Sequence, residues 1–227
     1  AGFDGTVFAP FHLGGFLEHA NRGAVRPWID GRAYVHGLDG VRAYLSALAD
    51  PAAFDAFQGG ARMDAVLVDL LDPSFPRIAA YLAQQPGWDL VSLDDRFALY
   101  ASGDVVARPG FVPFRILKAT TDPRWLSGLA PNELSAALAE ATRVASNPSG
   151  EVMGGLVRGV ARLELAGAGT TPEAALRQGA DPAGCRAALE DFERLSERRP
   201  DVPMFRYFRG VALACAGDRA GALGALA

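Results

Sequence analysis

The stretch Asp64 to Leu70, Asp-Ala-Val-Leu-Val-Asp-Leu, does most to limit what this chain can fold into. A strand with one wet face alternates apolar and polar residues; a short, nearly continuous apolar run belongs to a strand covered on both faces. Helices have to supply those coverings, which selects an α/β arrangement. The neighbouring segments agree. Thr6 to Ala9 reads as a short strand stopped by Pro10. Val25 to Ile29 reads as another, and Pro27 within it, which cannot donate to a ladder, marks an edge strand or a strand entry. Trp88 to Leu93 and Phe97 to Ala101, joined by the turn Asp94-Asp95-Arg96, form a β-hairpin.

Helical periodicity fills the gaps between these strands. His12 to Ala20 places Leu13, Phe16 and Leu17 on one face. In Leu38 to Ala49, Val41, Tyr44, Leu45 and Leu48 recur at intervals of three and four, with Asp39 in the first turn. Asp50 caps a further helix that starts at Pro51, runs to about Phe57 and is ended by Gln58-Gly59-Gly60. Pro76 to Gln84 follows, with Ile78, Tyr81 and Leu82 inward. The order β-α-β-α-β-α-β-β predicts a small three-layer, mostly parallel sheet closed by an antiparallel hairpin over residues 1–102. Residues 103–121, rich in Gly, Pro and isolated valines, read as a linker or covering arm. Residues 122–227 carry no strand signal and turn to Ala, Leu, Arg and Glu, as an all-α region does.

That second region contains an internal repeat. Arg158-Gly159-Val160-Ala161 recurs as Arg209-Gly210-Val211-Ala212, and each copy is followed by Ala-Gly. The second copy continues into Gly217-Asp218 and Ala222-Leu223, and Ala188-Leu189-x-x-Phe192-x-x-Leu195 before it ends at Pro200. These residues resemble the tetratricopeptide repeat: small residues where two helices cross, large ones filling between, a proline closing the unit. The resemblance covers roughly the last hundred residues and is closest in the final 45. The copies lie 51 residues apart, whereas that repeat has a period of about 34. The excess falls in Gly167 to Pro182, with room for a short helix at Pro172 to Gln178. This departure bears on a regular superhelix and not on the helical hairpins. Asn132 to Ser146, ending in Pro148, reads as the second helix of an earlier, degenerate unit. Because such repeats bury their faces against neighbours, further repeats are expected in the full-length protein.

The first region has a resemblance of its own. Val7-Phe8-Ala9-Pro10, Gly14-Gly15-Phe16-Leu17 and Trp28-Ile29-Asp30-Gly31-Arg32-x-x-Val35-x-Gly37 carry it, with Asp64-Ala65-Val66-Leu67-Val68, Trp88-Asp89-Leu90-Val91 and Asp94-Asp95-x-Phe97-Ala98-Leu99-Tyr100. Over about residues 3 to 101 this resembles the soluble tail of bacterial multi-pass membrane glycosyltransferases, of the protein mannosyltransferase and oligosaccharyltransferase type. The resemblance implies a tail outside the cytoplasm, in the periplasm, attached to a parent membrane domain and followed by tetratricopeptide-like repeats. It also implies that catalysis resides in the membrane part, so it transfers no catalytic residue to this chain.

Composition narrows the alternatives. A 227-residue chain that is half apolar can bury a proper core. A net charge of -4 provides no electrostatic footprint for nucleic acid or anionic lipid. Lys118 is the only lysine, and the Arg, Ala and Gly bias reads as a GC-rich bacterial genome. No apolar run reaches the roughly 20 residues a spanning helix needs. Cys185 and Cys215 sit in alanine-rich helical patterns without metal-ligand spacing, which favours two small buried residues over a disulfide. The three histidines, His12, His19 and His36, fit no zinc motif, and no cofactor is implied. Neither a dinucleotide fingerprint, a phosphate loop nor a nucleophile elbow is present.

The polar group best placed for a ligand is Asp30, Arg32, Tyr34 and His36, where a strand hands over to a helix, the edge at which open α/β sheets hold ligands. Asp69 joins it as the end of the Asp64–Leu70 strand, while Asp72-Pro73 is readily a helix cap. Arg32 offers a planar fork to a phosphate, and Asp30 an acceptor to sugar hydroxyls. Against this, Asp30 bonding its own turn while Arg32 pairs with a nearby acid gives a purely structural account. Two functions follow. One is a non-catalytic module of a membrane-anchored glycosyltransferase-like protein, serving acceptor or lipid-linked-sugar recognition and binding a protein partner through its helical repeats. The other is a small sugar-, phosphate- or nucleotide-binding domain or enzyme acting through Asp30, Arg32, His36 and Asp69.

Overall fold

The computed structural model describes residues 3–176 and 179–226, the side chains of residues 33, 34 and 61 excepted. The chain divides into two compact units, Ala1–Thr120 and Thr121–Ala227. No helix among the described residues is long and apolar enough to cross a membrane.

In the first unit the elements run β1 (Gly5–Phe8), a 3-10 turn (Phe11–Leu13), α1 (Gly14–Ala20), β2 (Val25–Pro27), α2 (Ala33–Ala49), α3 (Pro51–Ala61), β3 (Ala65–Asp69), α4 (Pro76–Leu82), β4 (Trp88–Leu93), β5 (Phe97–Ser102) and α5 (Gly103–Val106). The five strands make one mixed sheet in the order β2-β1-β3-β5-β4. β2, β1 and β3 are parallel, and β5 lies antiparallel between β3 and β4. Pro27 does sit on an edge strand, and the apolar β3 takes the centre of the sheet, as their sequences require.

The two faces of the sheet can be read along the pairing register. Phe8, Val66, Tyr100 and Leu90 align across four strands. On that face Phe8 is ringed by Tyr44 of α2, Phe54 and Phe57 of α3, and Phe75. Tyr44 donates its hydroxyl to the Ala9 carbonyl at 3.1 Å, and Tyr100 donates to Ala79 of α4 at 3.3 Å. The residues one step along, Val7, Ala9, Val25 and Ala65, form a second buried cluster against Leu17 of α1. Helices therefore cover both faces. Val105 and Phe114 are buried, and the Phe114 amide donates to Leu90 at 2.8 Å, so the segment after β5 covers the edge strand β4.

Several local expectations need correction. α3 runs through Gln58-Gly59-Gly60 to Ala61 and stops only where Arg62 turns left-handed at φ 43°. The glycines have open space around them, and their propensity cost is absorbed by the packing of Phe54 and Phe57. α2 starts at Ala33 rather than Leu38, with a break at Gly37, whose φ of 66° glycine tolerates and other residues rarely adopt. Leu45 of α2 and Phe16 of α1 point outward rather than inward; α1 meets the sheet at Leu17, as expected, and at the buried Gly14. Asp50 caps α3 as read, accepting the Ala52 amide at 3.1 Å. Asp72 does not cap a helix: its carboxylate accepts the Ser74 amide in a turn, and α4 opens four residues later at Pro76.

The second unit is helical. Asp122 caps a 3-10 segment (Pro123–Gly128), followed by α6 (Pro131–Ala145), a 3-10 turn (Pro148–Gly150), α7 (Glu151–Leu165), α8 (Pro172–Ala175), α9 (Pro182–Arg198), α10 (Pro203–Cys215) and α11 (Arg219–Leu226). Proline opens α6, α8, α9 and α10, where its missing N–H costs nothing. Of the short helix expected over Pro172 to Gln178, α8 covers the first four residues; Arg177 and Gln178 lie outside the described residues.

The internal repeat is visible as repeated packing. A Cβ on Gly159 of α7 would lie 2.6 Å from the Phe192 ring of α9, and one on Gly210 of α10 would lie 2.8 Å from Leu226 of α11. α7 and α10 also end alike. Gly167 and Gly217 adopt φ 76° and 91°; their amides return to Glu164 and Ala214, and the next amides to Leu163 and Leu213.

Cys185 and Cys215 are joined as a disulfide with Cα atoms 5.6 Å apart, which corrects the expectation of two separate small residues. Their helical patterns were right. What local sequence does not show is that α9 and α10 fold back on each other and bring the two thiols together.

Candidate functional site

The Asp30 group is assembled by the crossing of α1 over the end of β2. Trp28 extends the β1 pairing, its amide donating to Val7 at 2.9 Å, and Ile29 is buried beneath. At this point α1 begins with Gly14, where any Cβ would strike the Ile29 carbonyl and the Asp30 backbone. Asp30 is consequently buried, 3% exposed, at the carboxyl edge of the sheet.

A buried carboxylate needs its acceptor sites filled. Arg32 fills most of them. Its amide donates to Asp30 Oδ1 at 2.8 Å, closing the turn over Gly31, and its Nε donates to Oδ2 at 2.9 Å beside a second, shorter bond from the guanidinium. The same guanidinium reaches Glu18 of α1 at 2.9 Å. The Asp30 amide donates to His36 Nε2 at 3.4 Å, and that nitrogen also lies 3.4 Å from Oδ1. Trp28 stacks on the imidazole. Chiefly through the Arg32 guanidinium, with the Arg32 amide and His36 adding to it against the cost of burial, the Asp30 carboxyl is held at about 2, below its ordinary 3.8. Both elements of the structural account are thus present: Asp30 bonds its own turn, and Arg32 pairs with acids. The Tyr34 side chain lies outside the described residues.

Asp69 stands apart from this group in its partners. It is 2% exposed at the end of β3; Oδ1 accepts the Leu71 amide at 3.0 Å, and Oδ2 accepts Arg96 Nε and a terminal guanidinium nitrogen at 3.1 and 2.9 Å. Burial pushes its pKa up, but the Arg96 bonds, the Leu71 amide and the nearby His12 bring the net value below the ordinary one. Asp30, Arg32 and His36 are therefore brought together, while Asp69 ties β3 to the β4–β5 turn.

Chemically, the Asp30 group is an ionised carboxylate occupied by a cation and an amide. An open depression of about 500 Å³ next to it is lined by Gly15, Glu18, His19, Arg22, Gly23 and Arg32. No cluster of three or more His, Cys, Asp or Glu among the described residues is arranged to hold a metal.

In the second unit the comparable work is done by Arg158 of the repeated motif with two residues that the sequence does not single out, Asp191 and Arg162. Asp191 of α9, 2% exposed, receives Arg158 at 3.0 and 2.6 Å and Arg162 at 2.7 Å, both from α7. Arg162 also donates to the Ala187 carbonyl. The available signal is slight: Asp191 lies directly before Phe192 of the Ala188-Leu189-x-x-Phe192-x-x-Leu195 pattern. Around it, Arg198 of α9 pairs with Glu151 of α7, and Glu193 of α9 lies 3.8 Å from Arg209 of α10, so these two pairs also bridge helices.

No family model matches this chain, and no match is found among curated proteins or solved structures.

Proposed function

We propose that this chain is a non-catalytic extracytoplasmic recognition module of a membrane-anchored, glycosyltransferase-like protein, with helical repeats of the tetratricopeptide kind that bind a protein partner. The observation that carries the proposal is the Cys185–Cys215 bridge within the helical unit. Disulfides persist in oxidising compartments and are rare in the cytosol, which fits a periplasmic tail. The matched crossings at Gly159 and Gly210, with the matched endings at Gly167 and Gly217, favour two copies of one helical-hairpin repeat, an architecture whose stacked faces serve as binding surfaces. The Asp30 group supports a reaction less well, because its carboxylate is already saturated from within. Acceptor or lipid-linked-sugar recognition, if the α/β unit contributes to it, would use surfaces beside that group rather than its carboxylate.

Thiol alkylation and mass spectrometry on the protein taken directly from cells tests the compartment. We expect Cys185 and Cys215 to resist alkylation until reduced. Full alkylation without reductant would contradict the proposal.

A further inference from the structure

We infer that the depression between the Pro123–Gly128 segment and α10 is a docking site for a basic, apolar peptide, one with an arginine or lysine beside a proline or aromatic anchor. The inference rests on the protein-binding role proposed for the helical unit and names the chemistry of the partner.

The depression is open, about 440 Å³ in volume, and walled by Pro123, Met204, Tyr207 and Phe208 together with the Asp122–Arg124 ion pair. That is room for an anchoring side chain and its neighbour. Tyr207 is its preorganised part. The Tyr207 hydroxyl donates to the Thr170 carbonyl at 3.2 Å, and its ring meets that of Phe208 edge-on, with centroids 5.4 Å apart. Phe208 is in turn buried and stacked on Phe192. Tyr207 nonetheless remains 38% exposed. An aromatic fixed in this way loses little conformational freedom when a partner covers it. Met204 beside it supplies a surface that adapts to irregular side chains.

Charge and continuity specify the occupant. The Ser127 hydroxyl donates to Glu164 of α7 and lies 3.5 Å from the hydroxyl of Thr170, the residue that holds Tyr207. Burial pushes the Tyr207 hydroxyl pKa up, and Glu173 of α8 is near enough to push it further. Neither Glu164 nor Glu173 has a cationic partner among the described residues, whereas Arg124 is taken up by Asp122 and Arg209 faces Glu193. Arg206 is exposed on the position next to Tyr207, one cation against two carboxylates. A basic group on the partner completes that balance. The chain's own Pro123-Arg124-Trp125-Leu126 is a segment of this composition, and it already packs against α7 with Pro123 and Leu126 buried. The depression carries the same surface on to α10, so what fills its first part also describes what fits the second.

The probe is the synthetic peptide acetyl-Gly-Pro-Arg-Trp-Leu-Gly-amide, titrated into the 15N-labelled 227-residue chain. We expect saturable shifts at the amides of 204–208 and a loss of affinity of about tenfold or more with Tyr207→Ala. Glu173→Gln, at an exposed position that leaves the fold intact, should weaken binding about threefold. A peptide with glutamate in place of arginine should bind more weakly than either. No saturable shift, binding that Tyr207→Ala leaves intact, or equal binding of the glutamate peptide would overturn the site. Shifts mapping instead to α6 or α9 would do so while leaving protein binding by the helical unit in place. Self-association of the chain that Tyr207→Ala abolishes, without peptide binding, would also overturn it by making a second copy the occupant. Thiol alkylation bears on the compartment alone, so the two readings fail separately.

Discussion

Asp30 and Asp191 are buried to almost the same degree, yet the two units neutralise them in different ways. Asp30 is satisfied from two residues away, by an arginine whose side chain is 55% exposed and which keeps a second carboxylate, Glu18, within reach. Asp191 is satisfied from 33 and 29 residues away, by Arg158 and Arg162, whose side chains are 16% and 30% exposed. The first arrangement shapes a turn with an arginine that is half in solvent; the second fixes one helix against another with arginines that have less solvent to fall back on. A buried carboxylate thus indicates a ligand site only if its partners leave something unmet, and neither of these does.

The sharpest way to break that contrast is to remove each carboxylate. Asp191→Ala leaves two arginines facing a low-dielectric gap and should cost about 3–5 kcal/mol, seen as loss of the helical unit's transition in urea at neutral pH. Reducing or replacing the Cys185–Cys215 pair, which closes a segment with a sequence separation of 30, should cost about 2–4 kcal/mol, confined to the same transition. Gly159→Ala, pressing a methyl into the Phe192 ring, should cost about 1–3 kcal/mol, read from the same urea curves.

Asp30→Ala should cost only about 1–2 kcal/mol, in the α/β unit's transition. A loss as large as that for Asp191 would abolish the contrast. Its pH dependence gives a finer test. A carboxyl held at about 2 in the fold and near 3.9 when unfolded stabilises the protein above the unfolded value. That contribution fades as pH falls from about 4 towards 2, so Asp30→Asn should flatten the acid limb of the thermal stability profile. The smallest effect is expected at Arg42, whose exposed contact with Asp39 at 3.5 Å should leave the urea midpoint unchanged when Arg42→Ala removes it, at low salt and at high salt alike.

What was legible in the sequence follows the range of the forces involved. The β3 run, the proline in β2, the β4–β5 turn and the Asp50 cap depend on neighbours within a few residues, and their readings match the fold. The turn at Asp30-Gly31-Arg32 belongs to the same class, because its bonds join residues two apart. The disulfide, the Asp191 pairings and the contact of Gly14 with Asp30 join residues that only the fold makes adjacent, and no periodicity carries them. Between these extremes lie α3 and α2. Gly59-Gly60 reads as a stop in isolation but is overruled by aromatic packing, and Gly37 breaks a helix that extends on both sides of it.

The most direct test of the division of labour proposed here, recognition by the helical unit and a structural role for the Asp30 group, is a thermal-shift screen. The chain and its Asp30→Ala variant are heated with sugar phosphates, nucleotides and polyprenyl-phosphate mimics. We expect no compound to stabilise either protein, and Asp30→Ala to lower the melting temperature alone. A compound that, at a hundred times its dissociation constant, adds about 2.7 kcal/mol to the parent chain and nothing to a folded Asp30→Ala would contradict the account and make the carboxyl edge of the sheet a ligand site.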